Sequence, residues 1–268
     1  MKIFYLGPRG SFSNEAAEVL DNIIKKKYEV YLEEKSNFYE IFRSIGKNSF
    51  GIVPIENNYS GSVREVYNLV TQNLDIKLSL GFDLPIELYL IGEENINARY
   101  VYSHQQAIEQ ARDYIIRKGL IPIPVSSTSE AVRKLVEEYR ENIYDKYAIA
   151  NKKAAQIYGM NIIEKIDIKN NFTRFLLIGK EKFDLDINGE YRTILIFELE
   201  NKPGSLYKFL EYFYENNINL SKIESIPIKN GRWEYYFILE YEGDKSLIEK
   251  DKLKGKIIFM DDYKFIKI

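Results

Sequence analysis

Asn170-Asn171-Phe172-Thr173-Arg174-Phe175 runs straight into Leu176-Leu177-Ile178, and the reading of this junction decides the fold. Paired Asn residues favour a turn, and the Phe-Leu-Leu-Ile run after them has the length and apolarity of a strand buried on both faces. A polar tip at the end of a buried strand is where an α/β protein places its chemistry. Thr173 and Arg174 supply a hydroxyl and a permanent cation, a pair suited to a small carboxylate ligand. Taken alone, the two read more simply as a strand residue and a solvated cation.

The chain around this junction has 268 residues, enough for about two domains. Hydrophobic residues at 45% and charged residues at 29% describe a globular composition. A net charge of -2 and a pI near 5.8 give no bulk attraction to nucleic acid or to an anionic membrane, so neither is expected as a partner. Cysteine is absent, which excludes disulfides, thiolate nucleophiles and Cys-ligated metal. The single histidine, His104, excludes an imidazole-rich site, and no metal or cofactor is expected. Met1–Leu6 reaches Gly7-Pro8 after four apolar residues, too few for a signal segment, and no run is long enough to span a membrane. The expected location is cytoplasmic.

Upstream of the junction, strand and helix patterns alternate. Residues 2–6 read as a strand, Gly7-Pro8-Arg9-Gly10 as a tight loop, and Ala16, Ala17, Leu20, Ile23 and Ile24 as a helix stripe. Ser11 and Ser13 fall where that helix's free N–H groups point, an arrangement that can hold an anion. Gly51–Asn58 is an apolar strand that ends in Glu56 and Asn57, with an Asx turn or helix cap at Asn57 as the structural alternative. Residues 75–92, interrupted by Gly81 and Pro85, read as a crossing between two subdomains. After Tyr100–Tyr102 a helix beginning near Ser103 places Gln110 two turns on, on the same face, while His104 reads as a cap or surface residue. Ser127 and Glu130 form a Ser-x-x-Glu capping box whose helix start can also receive a carboxylate. The return through residues 161–169 makes a second crossing, hence two lobes with a cleft between them.

Glu181–Glu190 reads as a linker, and beyond it the texture changes. A strand at Thr193–Glu200, a helix stripe at Leu206, Phe209, Leu210 and Phe213, and strands at 218–228 and 232–242 follow, the last two joined at Asn230-Gly231. A short helix near 245–252 and a strand near 256–260 complete a ferredoxin-like βαββαβ unit without a catalytic constellation.

Together these segments resemble the prephenate dehydratase family. The likeness is carried by Tyr5–Ser13, Val53-Pro54-Ile55-Glu56-Asn57, Tyr102-Ser103-His104 with Gln106 and Gln110, Ser127–Ala131 and Asn171–Phe175. Pro203-Gly204-Ser205-Leu206 and Lys222–Pro227 are similar to the regulatory ACT domain of that family. The resemblance implies an α/β fold: a two-lobed catalytic domain like periplasmic binding proteins of type II over residues 1–183, then a ferredoxin-like ACT domain over 191–268. Lobe one takes about 1–80 and 170–183, and lobe two about 86–166. It implies a monofunctional lyase of phenylalanine biosynthesis that converts prephenate to phenylpyruvate with loss of carbon dioxide and the ring hydroxyl.

By the same resemblance Thr173 carries the catalytic hydroxyl, with Glu56, Asn57, Ser103 and Gln110 as further catalytic positions. Ser11, Ser127, Thr128, Arg174 and Phe175 become substrate-binding, although Arg174, next to Thr173 on a strand, points the opposite way and has structure as its alternative role. Gly204, Ser205, Leu206, Glu224 and Ser225 become the allosteric phenylalanine site, in a homodimer or homotetramer. A threonine hydroxyl at its ordinary pKa is a weak acid, so a relay or a Glu56 of raised pKa is the alternative proton source. The chain departs from the family pattern at Gln105, Ala111 and Ser11, at Ser205, and at Ile226, where the ACT motif carries Arg. Arogenate or dual-specificity dehydration and a non-catalytic small-molecule sensor are the rival readings, since the two-lobed fold serves binding as well as catalysis.

Overall fold

The computed structural model of the protein describes residues 1–25, 27–94, 96–183, 185–228 and 234–268. The first lobe is built from β1 (Lys2–Leu6), α1 (Phe12–Ile24), β2 (Tyr31–Lys35), α2 (Phe38–Ser44), β3 (Ser49–Asn57), the two-residue β4 (Gly61–Ser62), α3 (Arg64–Gln72) and β5 (Lys77–Pro85). The second lobe holds β6 (Leu88–Ile91), β7 (Tyr100–His104), α4 (Gln105–Gln110), α5 (Arg112–Arg117), β8 (Ile121–Val125), α6 (Thr128–Arg140), β9 (Lys146–Ala150), α7 (Lys152–Tyr158) and β10 (Ile162–Ile166). The chain then recrosses into the first lobe as β11 (Phe172–Gly179). Residues beyond it form β12 (Glu190–Glu198), α8 (Ser205–Glu215), β13 (Leu220–Pro227), β14 (Tyr235–Glu242), two 3-10 turns at Lys245–Leu247 and Lys250–Lys252, and β15 (Lys256–Ile266).

β11 lies antiparallel between β3 and β5, which explains its apolar run: Phe175, Leu176, Leu177 and Ile178 are all buried because both faces of the sheet are covered. On one face α1 packs Ala16, Ala17, Leu20 and Ile24 against Phe82, Phe175 and Leu177. On the other, α2 and α3 pack Ile41, Phe42, Val66 and Val70 against Leu176 and Ile178, and the same layer continues into Ile194, Ile196, Ile238, Phe259 and Tyr263 of the C-terminal domain. The second lobe has its own five-stranded sheet, in the order β10-β6-β9-β7-β8.

The C-terminal strands join the sheet of the first lobe. Its order is β13-β14-β12-β15-β5-β11-β3-β1-β2, with β4 on β3, ten strands in all. The seam is a parallel pairing of Lys264, Phe265 and Ile266 with Leu80, Gly81 and Phe82. The structure departs from the pattern read in sequence at three places, the first two of them because of this seam. β5 runs unbroken through Gly81, because the missing side chain leaves room for the Tyr263 ring. β15 extends past residue 260 to Ile266, because its end is needed to make the seam. Residues 245–252 make only single turns in place of a helix. The expected hairpin at Asn230-Gly231 lies outside the described residues. The linker is packed: Leu185 is buried against the α1 side of the sheet, and Lys182 pairs with Asp262. No helix among the described residues is long and apolar enough to cross a membrane.

A β-carbon at Gly81 would lie 2.5 Å from Tyr263 Cε2 and 2.7 Å from Leu176 Cδ2, both in the packed layer between the domains. Gly81→Ala is expected to cost about 1–3 kcal/mol in denaturant unfolding, the usual range for overpacking a core. The loss should shrink in a Tyr263→Leu background, and an equal loss in both backgrounds would rule out this origin.

Candidate active site

A cavity of about 350 Å³ opens between the lobes beside the crossing strands. Asn57 ends β3 and Thr173 begins β11, and the antiparallel register sets them directly opposite one another. The opposite wall is lobe two: His104, Gln106 and Gln110 at α4, and Ser126, Ser127 and Thr128 at the start of α6. The first turn of α1, with Ser11, Phe12 and Ser13, closes a third side. Among the described residues, no Lys, Arg, Asp or Glu lines this cavity.

Asn57 organises the polar end. It is 3% exposed, and its Oδ1 accepts from the backbone N–H groups of Tyr59 and Ser60 at 3.0 and 3.1 Å. That fixes which amide atom faces the turn, since only a carbonyl oxygen can accept both. Nδ2 therefore faces β11 and donates toward Asn171 Oδ1 and Phe172 O, each at 2.9 Å, and toward Thr173 Oγ1 at 3.1 Å. An oxygen that accepts from Asn57 keeps its own proton free for another acceptor. The neighbouring Asn58 pairs with the same crossing segment, accepting from Phe172 N at 2.8 Å and donating to Asn170 O. The two Asn residues that read as a turn thus tie the end of β3 to the start of β11.

Lobe two reaches across to this knot. Gln110 Nε2 donates to Asn57 Oδ1 at 3.4 Å, and Gln106 Nε2 donates to Ser60 Oγ at 2.6 Å. At the glycine loop Ser129 Oγ donates to Arg9 O at 2.7 Å, and Asn151 Nδ2 donates to Glu15 Oε2 at 3.0 Å. His104 caps α4, its Nδ1 accepting from Gln106 N at 3.3 Å, which leaves the imidazole proton on Nε2. Burial pushes its pKa down from the ordinary value, opposed by Glu109, so it is neutral at pH 7.

Of the residues marked in sequence, the structure brings Thr173, Asn57, Gln110, Ser11, Ser127, Thr128 and Phe175 to this cavity. Ser11 and Ser127 use their hydroxyls as helix caps, accepting from Asn14 N and Glu130 N. Three residues stand elsewhere. Glu56 precedes Asn57 on β3, and strand alternation turns it to the far face, where it pairs with Lys222 at 3.0 Å. Arg174 is turned the same way, forked onto Asp83 at 2.8 and 3.2 Å and reaching Glu240 of β14 at 3.0 Å. Ser103 is fully buried because β7 continues to His104; its hydroxyl donates to Ile149 O at 2.7 Å inside lobe two, and it is not part of the helix.

In the C-terminal domain Gly204 takes the left-handed conformation that caps α8, and Ser205 and Leu206 line a groove of about 870 Å³ with Tyr235 and Phe237. Glu224 is turned away from that groove toward lobe one, receiving hydrogen bonds from Ser62 and Arg64, while Ser225 lies on the opposite face of β13 and is exposed. Ile226, where the ACT motif carries Arg, is buried in the apolar layer shared with the first lobe. Sequence reasoning passes over Ser60, names Ser13 only at a helix start able to hold an anion, and names Gln106 within the resemblance without giving it a role. Gln106 lies one helical turn before Gln110, on its face, and this spacing is the signal that could have found it.

A two-lobed α/β domain with its cleft at the crossing strands, carrying a ferredoxin-like domain on the edge of its sheet, is a small-molecule-binding body with a second module attached. The family model "Prephenate dehydratase" matches residues 3–183, and "ACT domain" matches 193–250. The prephenate dehydratase of Methanocaldococcus jannaschii is 36% identical over 252 residues, covering 92% of this chain and 90% of that protein. The crystal structure of the prephenate dehydratase from Staphylococcus aureus subsp. aureus Mu50 superposes with a TM-score of 0.76 at 28% identity, over 99% of this chain and 100% of that one. A prephenate dehydratase from Arthrobacter aurescens in complex with L-Phe shares the fold, with a TM-score of 0.81 at 21% identity over 98% of this chain and 90% of that one. The chain belongs to the prephenate dehydratase family, with an ACT domain following the catalytic part, and is a carbon–oxygen lyase.

Two outcomes test this geometry. Arg174→Ala leaves Glu240, 1% exposed, without its main partner, and should cost about 3–5 kcal/mol of stability in denaturant unfolding; a loss under about 1 kcal/mol would contradict the buried pairing. For His104 the folded pKa lies below the unfolded one, so its contribution is present above about 6.5 and is lost as pH falls below that value. The melting temperature should therefore drop more between about pH 7.5 and about pH 5.5 in the native protein than in His104→Asn, which keeps a capping side chain. Equal slopes would remove the imidazole from the account.

Proposed function

We propose that the cleft converts prephenate to phenylpyruvate, with Thr173 donating to the departing ring hydroxyl. The reaction consumes one proton: the electron pair of the ring–carboxylate bond enters the ring as carbon dioxide leaves, the carbon–oxygen bond to the hydroxyl breaks, and water departs. Aromatisation drives it, so the site's task is to orient the substrate and help the hydroxyl go.

The observation that carries this reading is the fixed amide of Asn57. Because Nδ2 donates to Thr173 Oγ1, the Thr173 proton is directed to an acceptor other than Asn57. Gln110 braces Asn57 from the other lobe. Glu56 is paired with Lys222 on the far face and has no part in proton delivery here. The proton comes from solvent by way of the Thr173 hydroxyl, which answers the weak acidity of threonine by relay.

Prephenate is favoured over arogenate as substrate because, among the described residues, no carboxylate lines the cavity to receive arogenate's ammonium group. Phenylalanine is the effector of this reading, supported by the ACT domain, by the groove at Ser205 and Leu206, and by the L-Phe in the Arthrobacter relative. Pairing of two chains at β13, the edge of the ten-stranded sheet that belongs to the C-terminal domain, would give the homodimer or homotetramer. A cytoplasmic location accompanies this biosynthetic role.

An ultraviolet assay for phenylpyruvate tests the proposal. Prephenate, followed as phenylpyruvate, should be turned over at least roughly tenfold faster than arogenate, followed separately as phenylalanine, at equal low concentration, and phenylalanine should inhibit. Thr173→Ala should lose roughly a hundredfold or more in kcat while remaining folded, and Thr173→Ser should recover most of it. No turnover of either substrate by the native protein would favour a non-catalytic sensor, and near-normal turnover in Thr173→Ala would remove that hydroxyl from the mechanism.

A further inference from the structure

One strand of the C-terminal domain borders the groove at Ser205 and Leu206 and also touches the hairpin that carries Asn57. Ile228, just past the end of β13, lines the groove. Glu224 and Lys222 stand four and six residues back along the strand, roughly 13–20 Å away in extended chain.

These two side chains meet the β3–β4 hairpin of lobe one. Glu56 and Ser62 are partners across it, as are Asn57 and Gly61. Lys222 Nζ lies 3.0 Å from Glu56 Oε1 and donates to Ser62 Oγ, so one ammonium spans both limbs. Ser62 donates its own proton to Glu224, which Arg64 Nε also holds at 3.3 Å. Both hydrogen bonds of the Ser62 hydroxyl therefore go to the other domain. The Lys222 side chain is 10% exposed and its ammonium stands 5.3 Å from the centre of the Tyr67 ring, so it is enclosed as well as paired. The β4 limb needs this support. It is two residues long and, among the described residues, pairs with β3 alone.

Between the limbs lies the turn that orients Asn57. Tyr59 N, Ser60 N and Ser60 Oγ all donate to Asn57 Oδ1, which leaves Nδ2 for Thr173. Displacing Ser62 displaces this turn, and the amide loses the donors that distinguish its oxygen from its nitrogen. We propose that Ser62 is a positioning residue, through which the C-terminal domain sets the Asn57 amide and an effector in the groove alters turnover. This rests on the reading of the cleft as a prephenate site and of the groove as a phenylalanine site. A ligand that holds β13 in one position rather than another carries Lys222 and Glu224 with it, and the hairpin follows.

The experiment compares Ser62→Ala, Ser62→Thr, Lys222→Met and Lys182→Met in the full chain. Lys182 pairs with Asp262 at a separate contact of the C-terminal domain, so its variant reports on domain docking alone. Ser62→Ala should need about tenfold or more phenylalanine for half-inhibition of prephenate turnover, a usual size for coupling between two sites. Its Kd for phenylalanine, measured by calorimetry without substrate, should stay within about twofold of native, and a loosened Asn57 should lower kcat a few-fold with KM near native. Lys222→Met should behave as Ser62→Ala does, which keeps the test open if one variant fails to fold by its melting temperature. Ser62→Thr should restore native inhibition, and Lys182→Met should retain it. Native inhibition in Ser62→Ala and Lys222→Met, an equal loss in Lys182→Met, or a parallel loss of phenylalanine binding would overturn the route through Ser62 and leave the dehydratase reading intact. So would a native protein that converts prephenate without responding to phenylalanine. A native protein that does not convert prephenate would take down the reading of the cleft, and this route with it.

Discussion

Side chains on a strand alternate between faces, and β11 puts that alternation to two uses at once. Thr173 faces the cleft opposite Asn57, while Arg174 faces the C-terminal domain opposite Glu56, and the pairing of β11 with β3 sets both matches in one register. A slip of one residue would exchange the two faces, bringing a guanidinium into an uncharged cavity and a hydroxyl against Glu240. The ion pairs on the far side therefore matter for the cleft even though none reaches it. Buried pairs of this kind add little net stability over apolar packing, and fixing a register is their best-attested role.

The charge distribution follows the same division. Glu56, Asp83, Arg174 and, from the other domain, Lys222 and Glu240 gather where the two domains meet, and Arg174 and Arg192 lie 4.9 and 4.0 Å from the centre of the Phe265 ring. The cleft, one strand-face away, is left to amides and hydroxyls. An uncharged site is less sensitive to salt than a charged one, and its donors are held by backbone rather than by long flexible side chains.

Local order is legible in the sequence wherever its cause is local. Ser127 caps α6 as read, with Glu130 N donating to Ser127 Oγ at 3.0 Å, although the Glu130 carboxylate pairs with Arg133 and does not close the box, and the stripe on α1 is buried at Ala16, Ala17, Leu20 and Ile24. Strand alternation by itself separates Arg174 from Thr173, but it cannot say what lies on either face. That depends on which element covers the sheet, a contact between β5 and β15 about 180 residues apart. The same distance explains why Gly81 reads as a break. Ser103 reads as helical because the strand before it shows no stop; the cap falls one residue later, at His104.

The seam between β5 and β15 is made of three residue pairs, with a glycine opposite an aromatic ring beside it. A join so short is not recognised by its backbone alone, since any strand can offer three pairs. Its specificity lies in a handful of side chains set across the two domains: Tyr263 over Gly81, Glu240 on Arg174, Lys222 on Glu56 and Glu224 on Ser62. The regulatory domain is thus a keyed module. Exchange of such domains between related enzymes, in evolution or by grafting, is confined to donors that carry the matching key.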